Sequence, residues 1–451
     1  MTPAISQRAR RTACVLAAAL SAPLLAQPAA AQPPGRAAGR TVVYTTRDGD
    51  TLYDVADRYL QGPGDWSLLA QINGVPAPKR LQPGIALKLP AARLRKERLA
   101  ARVVAVAGPA ERTSGDAYVP LALDATLTEG DRVRTGANGF VTLELADGTH
   151  MSLPPDSQLD LTMLRRTVLT GTLDRVFELR RGSVDSEVTH LKKRDDRFQI
   201  RSPSVVAGVR GTRFRVNYDS AGDAATRVEV LDGAVGVAGS RHPSGAMLVP
   251  ANFGSVATAG GTVGAPVQLL GAPALVKPDK VQDEPDVGFD LAPMPDARAY
   301  RVQLAHDAGL LDLFSETHTE TPHAAFSNVP DGTYFVRIAA IDGNGLEGQP
   351  RTYAFERRRM GIDASAAPRA DGYEFRWSPN GASGNVRYRF VLSASKDLSV
   401  PIVDQVGLTA RQIVVAHLPP GEYFWAVTVE SFDRGRFYEK TSPVGAFTLS
   451  R

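Results

Sequence analysis

The amino-acid sequence predicts a multidomain, mainly β protein, and three observations support this fold class. Two short amphipathic helical segments lie between extended runs in residues 41–90, which predicts a small βααβ module. Apolar and polar residues alternate in short runs through residues 103–239, which predicts an all-β domain. The remaining sequence repeats itself at an interval of 88 to 89 residues, which predicts two β-sandwich repeats.

We expect these parts to follow one another with connecting segments between them. The expected order is a signal peptide at 1–31, a linker at 32–40, the βααβ module at 41–90, a linker at 91–102, the all-β domain at 103–239, a linker rich in glycine, alanine and proline at 240–278, and β-sandwich repeats at 279–360 and 361–451.

Residues that start and stop helices predict the βααβ module. Thr51 and Asp54 form a capping-box-like helix start. Asp65 is expected to cap a second helix, and Gly74 stands where a helix end favours a left-handed residue. Apolar residues recur at helical spacing in both segments, namely Leu52, Val55, Ala56, Tyr59 and Leu60 in the first and Trp66, Leu69 and Ala70 in the second. We therefore predict two short helices packed on a two-stranded sheet.

The module resembles a LysM domain over residues 44–90. The motifs that carry this resemblance are Gly49-Asp50-Thr51-Leu52, Trp66, Asn73 and the closing Leu81-x-Pro83-Gly84-x-x-Leu87-x-Leu89-Pro90. The resemblance implies binding of N-acetylglucosamine-containing glycans, above all peptidoglycan, in a groove between the loop after the first strand and the loop before the second. The implied glycan-binding residues are Gly49, Asp50, Thr51, Leu52, Ile72, Asn73, Pro83 and Gly84. The alternative is that these glycine and cap residues only form turns.

The all-β domain is predicted from strands that end in tight turns. Val141, Leu143 and Leu145 alternate with polar residues, and Asp147-Gly148 and Asp232-Gly233 stand where hairpin turns need positive φ. Gly208 and Gly211 interrupt a strand-like run and suggest a bulge or a close backbone approach.

The same region resembles a FecR domain over about residues 103–239. Its ordered motifs include Thr135-Gly136-x-x-Gly139-Phe140, Leu179-x-Arg181-Gly182-Ser183-Val184 and Gly208-Val209-Arg210-Gly211-Thr212-Arg213-Phe214. The resemblance implies the fold and an interaction role in the cell envelope. Arg210, Arg213 and Arg215 alternate along the chain, so they are expected either to form a surface for a partner or to bond neighbouring turns.

Two C-terminal repeats are predicted from a pair of echoed motifs. Tyr300-Arg301-Val302-x-Leu304 returns as Tyr388-Arg389-Phe390-x-Leu392, and Asp331-Gly332-Thr333-Tyr334 returns as Pro420-Gly421-Glu422-Tyr423. The Pro-x-Gly-x-Tyr corner resembles fibronectin type III or immunoglobulin-like modules. The expected core comprises Phe289, Phe375, Trp377 and the apolar members of 336–341 and 425–429.

The first residues predict export of the chain. Arg8, Arg10 and Arg11 precede an apolar run at 13–26, and Ala29-Ala30-Ala31 offers a small-x-small cleavage site. The only cysteine, Cys14, would leave with this signal peptide, so we expect no disulfide, no thiol nucleophile and no membrane anchor in the mature chain. We expect a periplasmic location, with a cell-surface or secreted protein as the alternative. The formal net charge of +4 is slight for 451 residues, and nucleic-acid binding is not expected in an exported protein.

Enzyme chemistry leaves no clear pattern in the sequence. His318 and His323 flank Pro322 at a spacing that suits no zinc site, and we find no nucleophile elbow and no phosphate-binding glycine loop. We expect a protein without metal or cofactor that is not an enzyme. The leading hypothesis is a non-catalytic envelope protein that docks on peptidoglycan and offers its β domains to an unknown envelope protein. The alternative is a FecR-like signal-transducing or regulatory protein.

Overall fold

The computed structural model describes residues 40–75, 81–115, 117–220, 222–370, 372–381, 385–433 and 435–450. The expected signal peptide and Cys14 lie outside the described residues. The chain divides into two compact units, one ending at Arg93 and one beginning at Leu94. As the sequence predicts, the architecture is multidomain and mainly β.

The first unit is the βααβ module. Its two strands pair antiparallel, with Val43 opposite Lys88. Helix α2 packs on β2 and on α1, and the Tyr59 ring of α1 lies 5.0 Å from the Tyr44 ring of β1. The elements are β1 (Thr41–Thr45), α1 (Leu52–Tyr59), a 3-10 turn (Pro63–Asp65), α2 (Trp66–Asn73), β2 (Ala86–Pro90) and a second 3-10 turn (Ala91–Arg93).

Helix signals read from the sequence are largely confirmed in this module. The hydroxyl of Thr51 accepts a hydrogen bond from the backbone N–H of Asp54 at 3.1 Å, and Gly74 ends α2 with a φ of 62°. Two expectations are wrong. The Asp65 side chain makes no cap hydrogen bond, because its carboxylate binds the guanidinium of Arg93 instead. Trp66 is exposed, so Leu69 rather than Trp66 anchors α2 in the core.

A central domain follows, in which the strands form one closed barrel. The strands are β3 (Lys96–Arg98), β4 (Ala100–Ala107), β5 (Ala110–Ser114), β6 (Ala117–Pro120), β7 (Thr126–Thr128), β8 (Arg132–Thr135), β9 (Phe140–Leu145), β10 (His150–Leu153), β11 (Gln158–Thr167), β12 (Leu173–Glu187), β13 (Arg197–Arg201), β14 (Val205–Val209), β15 (Arg213–Tyr218), β16 (Thr226–Asp232), β17 (Ala234–Gly239), β18 (His242–Pro250), β19 (Phe253–Ala257) and β20 (Val267–Gln268).

Strand β12 connects two parts of this barrel. Its first half pairs with β11 and β13, and its second half pairs with β10 and β15. The chain bends at Gly182, where a Cβ atom would lie 2.5 Å from the Ser157 hydroxyl, so only glycine fits without displacing that neighbour. Phe177, Phe198 and Phe214 fill the interior, with ring centroids 5.5 and 6.4 Å apart.

Two features of the central domain differ from the sequence-based expectation. The segments 91–102 and 240–278, expected as linkers, contribute β3, the start of β4 and β18 to β20, because their backbones pair with β11, β17, β16 and β19 of the barrel. Asp147-Gly148 does form the expected hairpin turn between β9 and β10. Asp232-Gly233 connects β16 to β17 but does not form a hairpin, because these two strands pair with other strands. Strand β16 pairs with β15 and β19, and β17 pairs with β14 and β18.

Two sandwiches complete the second unit, each built from two sheets. The first comprises β21 (Val287–Asp290), β22 (Ala299–Ala305), β23 (Leu313–Thr319), β24 (His323–Phe326), β25 (Gly332–Ile341) and β26 (Arg351–Arg357). The second comprises β27 (Gly361–Arg369), β28 (Gly372–Asn380), β29 (Asn385–Ser393), β30 (Pro401–Leu408), β31 (Gln412–Ala416), β32 (Gly421–Asp433), β33 (Arg436–Thr441) and β34 (Gly445–Leu449).

The echoed motifs occupy equivalent places in the two sandwiches. Tyr300 on β22 lies opposite Ala340 on β25, and Tyr388 on β29 lies opposite Val429 on β32. The expected core residues are buried in both copies except for Ile341, which is half-buried; Phe289 is 3% exposed and Phe375 0%. The repeat in the sequence is therefore a repeat in strand pairing.

Candidate functional site: the paired loops of the module and the buried ionic cluster

The two loops that were expected to form a glycan groove lie side by side in the βααβ module. Thr46, at the end of β1, joins them. Its hydroxyl donates to the carbonyl of Gln82 at 2.6 Å and accepts from the N–H of Ile85 at 2.9 Å. The N–H of Gly84 donates to the Thr46 carbonyl at 2.9 Å, and the N–H of Leu81 donates to the Asp50 carbonyl at 3.0 Å. Thr46 was not expected from the sequence, and because it lies among the polar residues Thr45, Arg47 and Asp48, no local signal singles it out.

Asp50 is a buried structural carboxylate in the first of these loops. It is 4% exposed, and it accepts hydrogen bonds from the Tyr44 hydroxyl at 2.6 Å and the Arg47 N–H at 2.7 Å. Burial favours the neutral acid, but the Tyr44 and Arg47 hydrogen bonds and the charge of Arg58 outweigh it and lower the pKa of Asp50. Burial and the same hydrogen bond raise the pKa of Tyr44 to about 12. Asp50 therefore shapes the loop from inside.

Asn73 likewise holds the module together. Its amide nitrogen donates to the carbonyls of Leu69 at 2.9 Å and Lys88 at 3.0 Å, and its amide oxygen accepts from the Lys88 N–H at 2.7 Å. These bonds tie the end of α2 to the edge of β2 that faces away from β1. The side-chain amide is fully used within the protein.

The other expected glycan-binding residues divide into interior and surface positions. Leu52 is fully buried in the core, and the Thr51 hydroxyl caps α1. Gly49, Pro83 and Gly84 are exposed on the two joined loops, and Ile72 is 38% exposed near the end of α2. The surface that a ligand could reach therefore comprises Gly49, Ile72, Pro83 and Gly84.

The three arginines expected as a possible partner surface do not act together. Arg210 and Arg213 are exposed. Arg215 is 2% exposed, and its guanidinium reaches the first sandwich, where Nη1 donates to the Glu347 carboxylate at 2.7 Å and Nη2 to the Glu347 and Gly348 carbonyls at 2.6 and 2.7 Å. Arg215 is therefore not part of an exposed surface, because its partner lies within the chain.

Arg215 belongs to a buried ionic cluster that joins the central domain to the first sandwich. Arg301 binds Glu347 at 3.0 Å and Glu316 at 2.7 Å, and Arg337 binds Asp185 at 2.7 Å. Glu229 lies opposite Arg215 in the strand ladder and is 2% exposed. We refer to these seven residues as the ionic cluster: Asp185, Arg215, Glu229, Arg301, Glu316, Arg337 and Glu347.

The carboxylates of the ionic cluster differ in their affinity for protons. Burial alone raises the pKa of Asp185 and of Glu347, but the arginines, chiefly Arg301 and Arg215 respectively, lower both below the ordinary range. Glu229 has the opposite balance, because burial and the charges of Glu347 and Asp185 outweigh Arg215 and raise its pKa to about 7. Three arginines face four carboxylates, so a proton on Glu229 balances the cluster.

Apolar and polar contacts surround the ionic cluster at the same junction. Phe140 of the central domain packs with Ala305 and Leu313 of the first sandwich, and the Thr142 hydroxyl donates to the Leu311 carbonyl at 2.7 Å.

Within the part of the chain that the structure describes, no group of three or more His, Cys, Asp or Glu side chains is placed to hold a metal ion. None of the described helices is long and apolar enough to cross a membrane.

Comparison with protein families supports two of the assigned modules. The family described as LysM domain matches residues 44–90, and the family described as FecR protein matches residues 131–236. No curated protein matches the chain.

Several solved structures are similar to parts of the chain. A putative anti-sigma factor from Parabacteroides distasonis ATCC 8503 is 18% identical, with 30% of this chain and 59% of that chain covered and a TM-score of 0.25. The fibronectin(III)-like modules of Clostridium thermocellum CbhA are 12% identical, with 39% and 90% covered and a TM-score of 0.20. The FN1-FN3 domains of chicken CNTN1 are 14% identical, with 50% and 98% covered and a TM-score of 0.22.

Proposed function

We propose that this protein is a non-catalytic cell-envelope protein of the periplasm that binds peptidoglycan through its LysM module. Its central FecR domain and its sandwiches would then be presented to an envelope protein. The observation that carries the proposal is the LysM match over 44–90 together with two joined loops that leave Gly49, Pro83 and Gly84 exposed. LysM and FecR are both non-catalytic families, which supports a binding role.

Sugar recognition would use the backbone and the apolar surface of the two loops. The N–H groups of Gly49 and Thr51 donate no hydrogen bond to another described residue, so they remain available to an acetamide carbonyl. Ile72 and Pro83 offer exposed apolar surface on which the C–H face of a sugar ring can pack. Asp50 and Asn73 would act indirectly, by holding the loops in place.

Co-sedimentation of the full chain with purified peptidoglycan sacculi tests this proposal. The test variant combines Ile72→Glu with Pro83→Glu, which adds two charges to the proposed groove without touching Asp50 or Asn73. The control variant is Val43→Glu, since Val43 is 60% exposed on β1 of the same module. Calorimetry of all three proteins checks that each still melts cooperatively.

We expect the wild type and the Val43 variant to sediment with sacculi and the double variant to stay in solution. Equal sedimentation of the double variant would show that the groove is assigned wrongly. If all three proteins are folded and none binds, the proposed peptidoglycan anchoring is wrong. A single LysM copy binds weakly, so sacculi, which present many sites at once, are a better substrate than a soluble oligosaccharide.

The ionic cluster determines which domains would be presented together to a protein partner. Because the central domain and the first sandwich share buried charges, they would be presented to a partner as one block rather than as two domains joined by a flexible linker. The exposed Arg210 and Arg213 supply cations to the outer surface of that block. Pull-down of envelope extracts with the wild type and with an Arg210→Gln, Arg213→Gln variant tests this surface. A partner captured equally by both proteins would exclude these arginines.

The FecR match favours a second candidate function, in which the central domain transmits an envelope signal to a regulator. In that case, deleting the gene would change the expression of a defined set of genes, and restoring a chain without residues 41–90 would reverse the change. Failure of that shortened chain to reverse it would favour the anchoring role.

A further inference from the structure

The central domain contains a cavity that neither the LysM groove nor the ionic cluster explains. It lies between the β9–β10 turn, the β11–β12 turn and the segment that follows β12, and its volume is about 720 Å³. This is within the range of about 300–1,000 Å³ that is usual for small-molecule sites. Much of the lining is apolar, with Leu99, Leu145, Leu164, Leu173 and Leu191 among the lining residues.

A buried arginine lines this apolar cavity. Arg175, on β12, is 1% exposed, and its Nη1 binds the carboxylate of Asp147. Its Nε and Nη2 are shielded from solvent and donate no hydrogen bond to any described residue. The guanidinium carbon lies 5.4 Å from the centroid of the Phe198 ring, a contact that does not use the N–H donors. Unused buried donors of a charged group are costly, so Arg175 has capacity for a further acceptor. Because neither nitrogen is accessible to solvent, an acceptor in the cavity reaches them only when the Arg175 side chain or its neighbours shift.

Asp147 does not occupy all the hydrogen-bond donors of Arg175. Its carboxylate also accepts from the Thr189 hydroxyl at 2.8 Å and from the Thr149 N–H at 3.3 Å. Although burial opposes ionisation, the charge of Arg175 and these hydrogen bonds lower the pKa of Asp147, so it remains an anion. The carboxylate therefore accepts from three donors, whereas the Nε and Nη2 atoms of the guanidinium have no acceptor among the described residues.

The other charges around the cavity are mainly positive. Arg166, Lys192 and Lys193 line it together with Arg175, against the carboxylates of Asp147 and Asp196. Asp196 is already occupied by the N–H groups of Leu173 at 2.8 Å and Lys193 at 3.0 Å. Arg166 is paired with Glu97, and the Lys193 ammonium donates to the Thr170 carbonyl. With Glu97 counted, four cations face three anions, and this small positive excess favours a ligand that carries negative charge.

We propose that this cavity binds a small acyl carboxylate, an anion with an apolar chain. The carboxylate would accept hydrogen bonds from Arg175, and the chain would pack on the lining leucines. Lys192 and Lys193 are exposed, so they would attract the anion from solution and favour its entry. This inference concerns the central domain alone and is independent of glycan binding.

Isothermal titration of the full chain with octanoate, and with octanol as an uncharged ligand of equal chain length, tests the inference. The test variant combines Arg175→Met with Asp147→Asn, which removes both charges and so leaves no unpaired buried ion. The matched control combines Arg102→Met with Asp124→Asn, an ion pair of the same domain whose side chains are 57% and 69% exposed. Leu173→Trp is a further variant that fills the cavity while keeping Arg175 and Asp147.

We expect the wild type and the exposed-pair control to bind octanoate roughly tenfold or more tightly than octanol. The Arg175 variant should lose this preference, and Leu173→Trp should weaken the binding of both ligands. Absence of octanoate binding by the wild type would overturn the inference, and so would equal affinity for octanoate and octanol. If the Arg175 variant fails to fold, unchanged octanoate binding by folded Leu173→Trp would overturn it as well.

Discussion

Replacement of Glu229 by glutamine should change how the stability of the second unit depends on pH. Glu229 lies on β16 at the junction with the first sandwich, and burial among Glu347 and Asp185 raises its pKa to about 7, against an ordinary value of 4.5. The folded protein therefore keeps a proton on Glu229 over a pH range in which the unfolded chain has lost it. Glutamine has nearly the same shape and cannot ionise.

The size of the effect follows from the difference between the two pKa values. One unit corresponds to about 1.36 kcal/mol, so the rise from 4.5 to about 7 corresponds to about 3 kcal/mol. Because the folded state binds the proton more tightly, the free energy of unfolding falls as pH rises between 4.5 and about 7. In the Glu229→Gln variant this fall is absent. The variant should be more stable than the wild type by about 3 kcal/mol at pH 8 and similar to it near pH 5.

Differential scanning calorimetry of the full chain from pH 5 to pH 8 is the suitable measurement. Tryptophan fluorescence would not report on this junction, because Trp66, Trp377 and Trp425 all lie outside the central domain and the first sandwich. About 3 kcal/mol corresponds to a rise of roughly 4 °C in the midpoint for a unit that spans residues 94–451, because the entropy of unfolding grows with the number of residues. His318, whose pKa is lowered chiefly by burial, titrates in the wild type and the variant alike, so comparing the two isolates Glu229.

Glu111→Gln is the matched control, since the Glu111 side chain is 39% exposed in the same domain. It should leave the pH dependence as in the wild type, because solvent screens an exposed carboxylate. Equal pH dependence in the Glu229 variant and the wild type would refute the reasoning. A variant that is less stable than the wild type at pH 8 would refute it too, since that would mean that the ionised carboxylate stabilises the junction.

Two further predictions concern close packing and internal hydrogen bonds. Gly211→Ala should lower the free energy of unfolding measured in urea by more than about 2 kcal/mol, because φ is +103° and the new Cβ would lie 2.0 Å from the His190 ring. Gly208→Ala is the matched control, since its Cβ would lie 4.0 Å from the nearest atom, and it should lower that free energy by less than half as much. Asn73→Ala should lower the free energy of unfolding of the βααβ module by about 1 kcal/mol, because it removes two exposed hydrogen bonds to the Lys88 backbone that water only partly replaces. An unchanged thermal midpoint would contradict the assigned role.

Local patterns in the sequence predicted most of the elements. The Thr51 cap, the left-handed Gly74 and the alternating strand at 141–145 each depend on residues within a few positions of one another. The spacing of Tyr300 and Tyr388 predicted two copies of one sandwich for the same reason, since a repeated local pattern folds in the same way twice. Glycan contacts and export stay predictions, because they depend on ligands and on residues outside the described part of the chain.

The roles of charged residues were decided by contacts between distant parts of the chain. Arg215 and Glu347 are separated by 132 positions, and no periodicity links them. The alternation of Arg210, Arg213 and Arg215 predicted either a partner surface or bonds to neighbouring turns, and Arg210 does donate to the carbonyls of Lys193 and Arg194, but neither alternative predicted the buried junction at Arg215. Asp50 and Asn73 were expected at the sugar. The Asp50 carboxylate is buried and bonded to Tyr44, and the half-buried Asn73 amide bonds to the backbone of Lys88.

By itself, the sequence determined the types of element, the order of the modules and the repeat, because helix caps, turns and apolar periodicity act over short distances. Only the tertiary structure decided that strands within 240–278 join the barrel, that Arg175 lines an apolar cavity and that burial raises the pKa of Glu229. Each of these depends on burial and on charges brought together by folding, and a linear pattern does not encode which distant groups exclude water from one another.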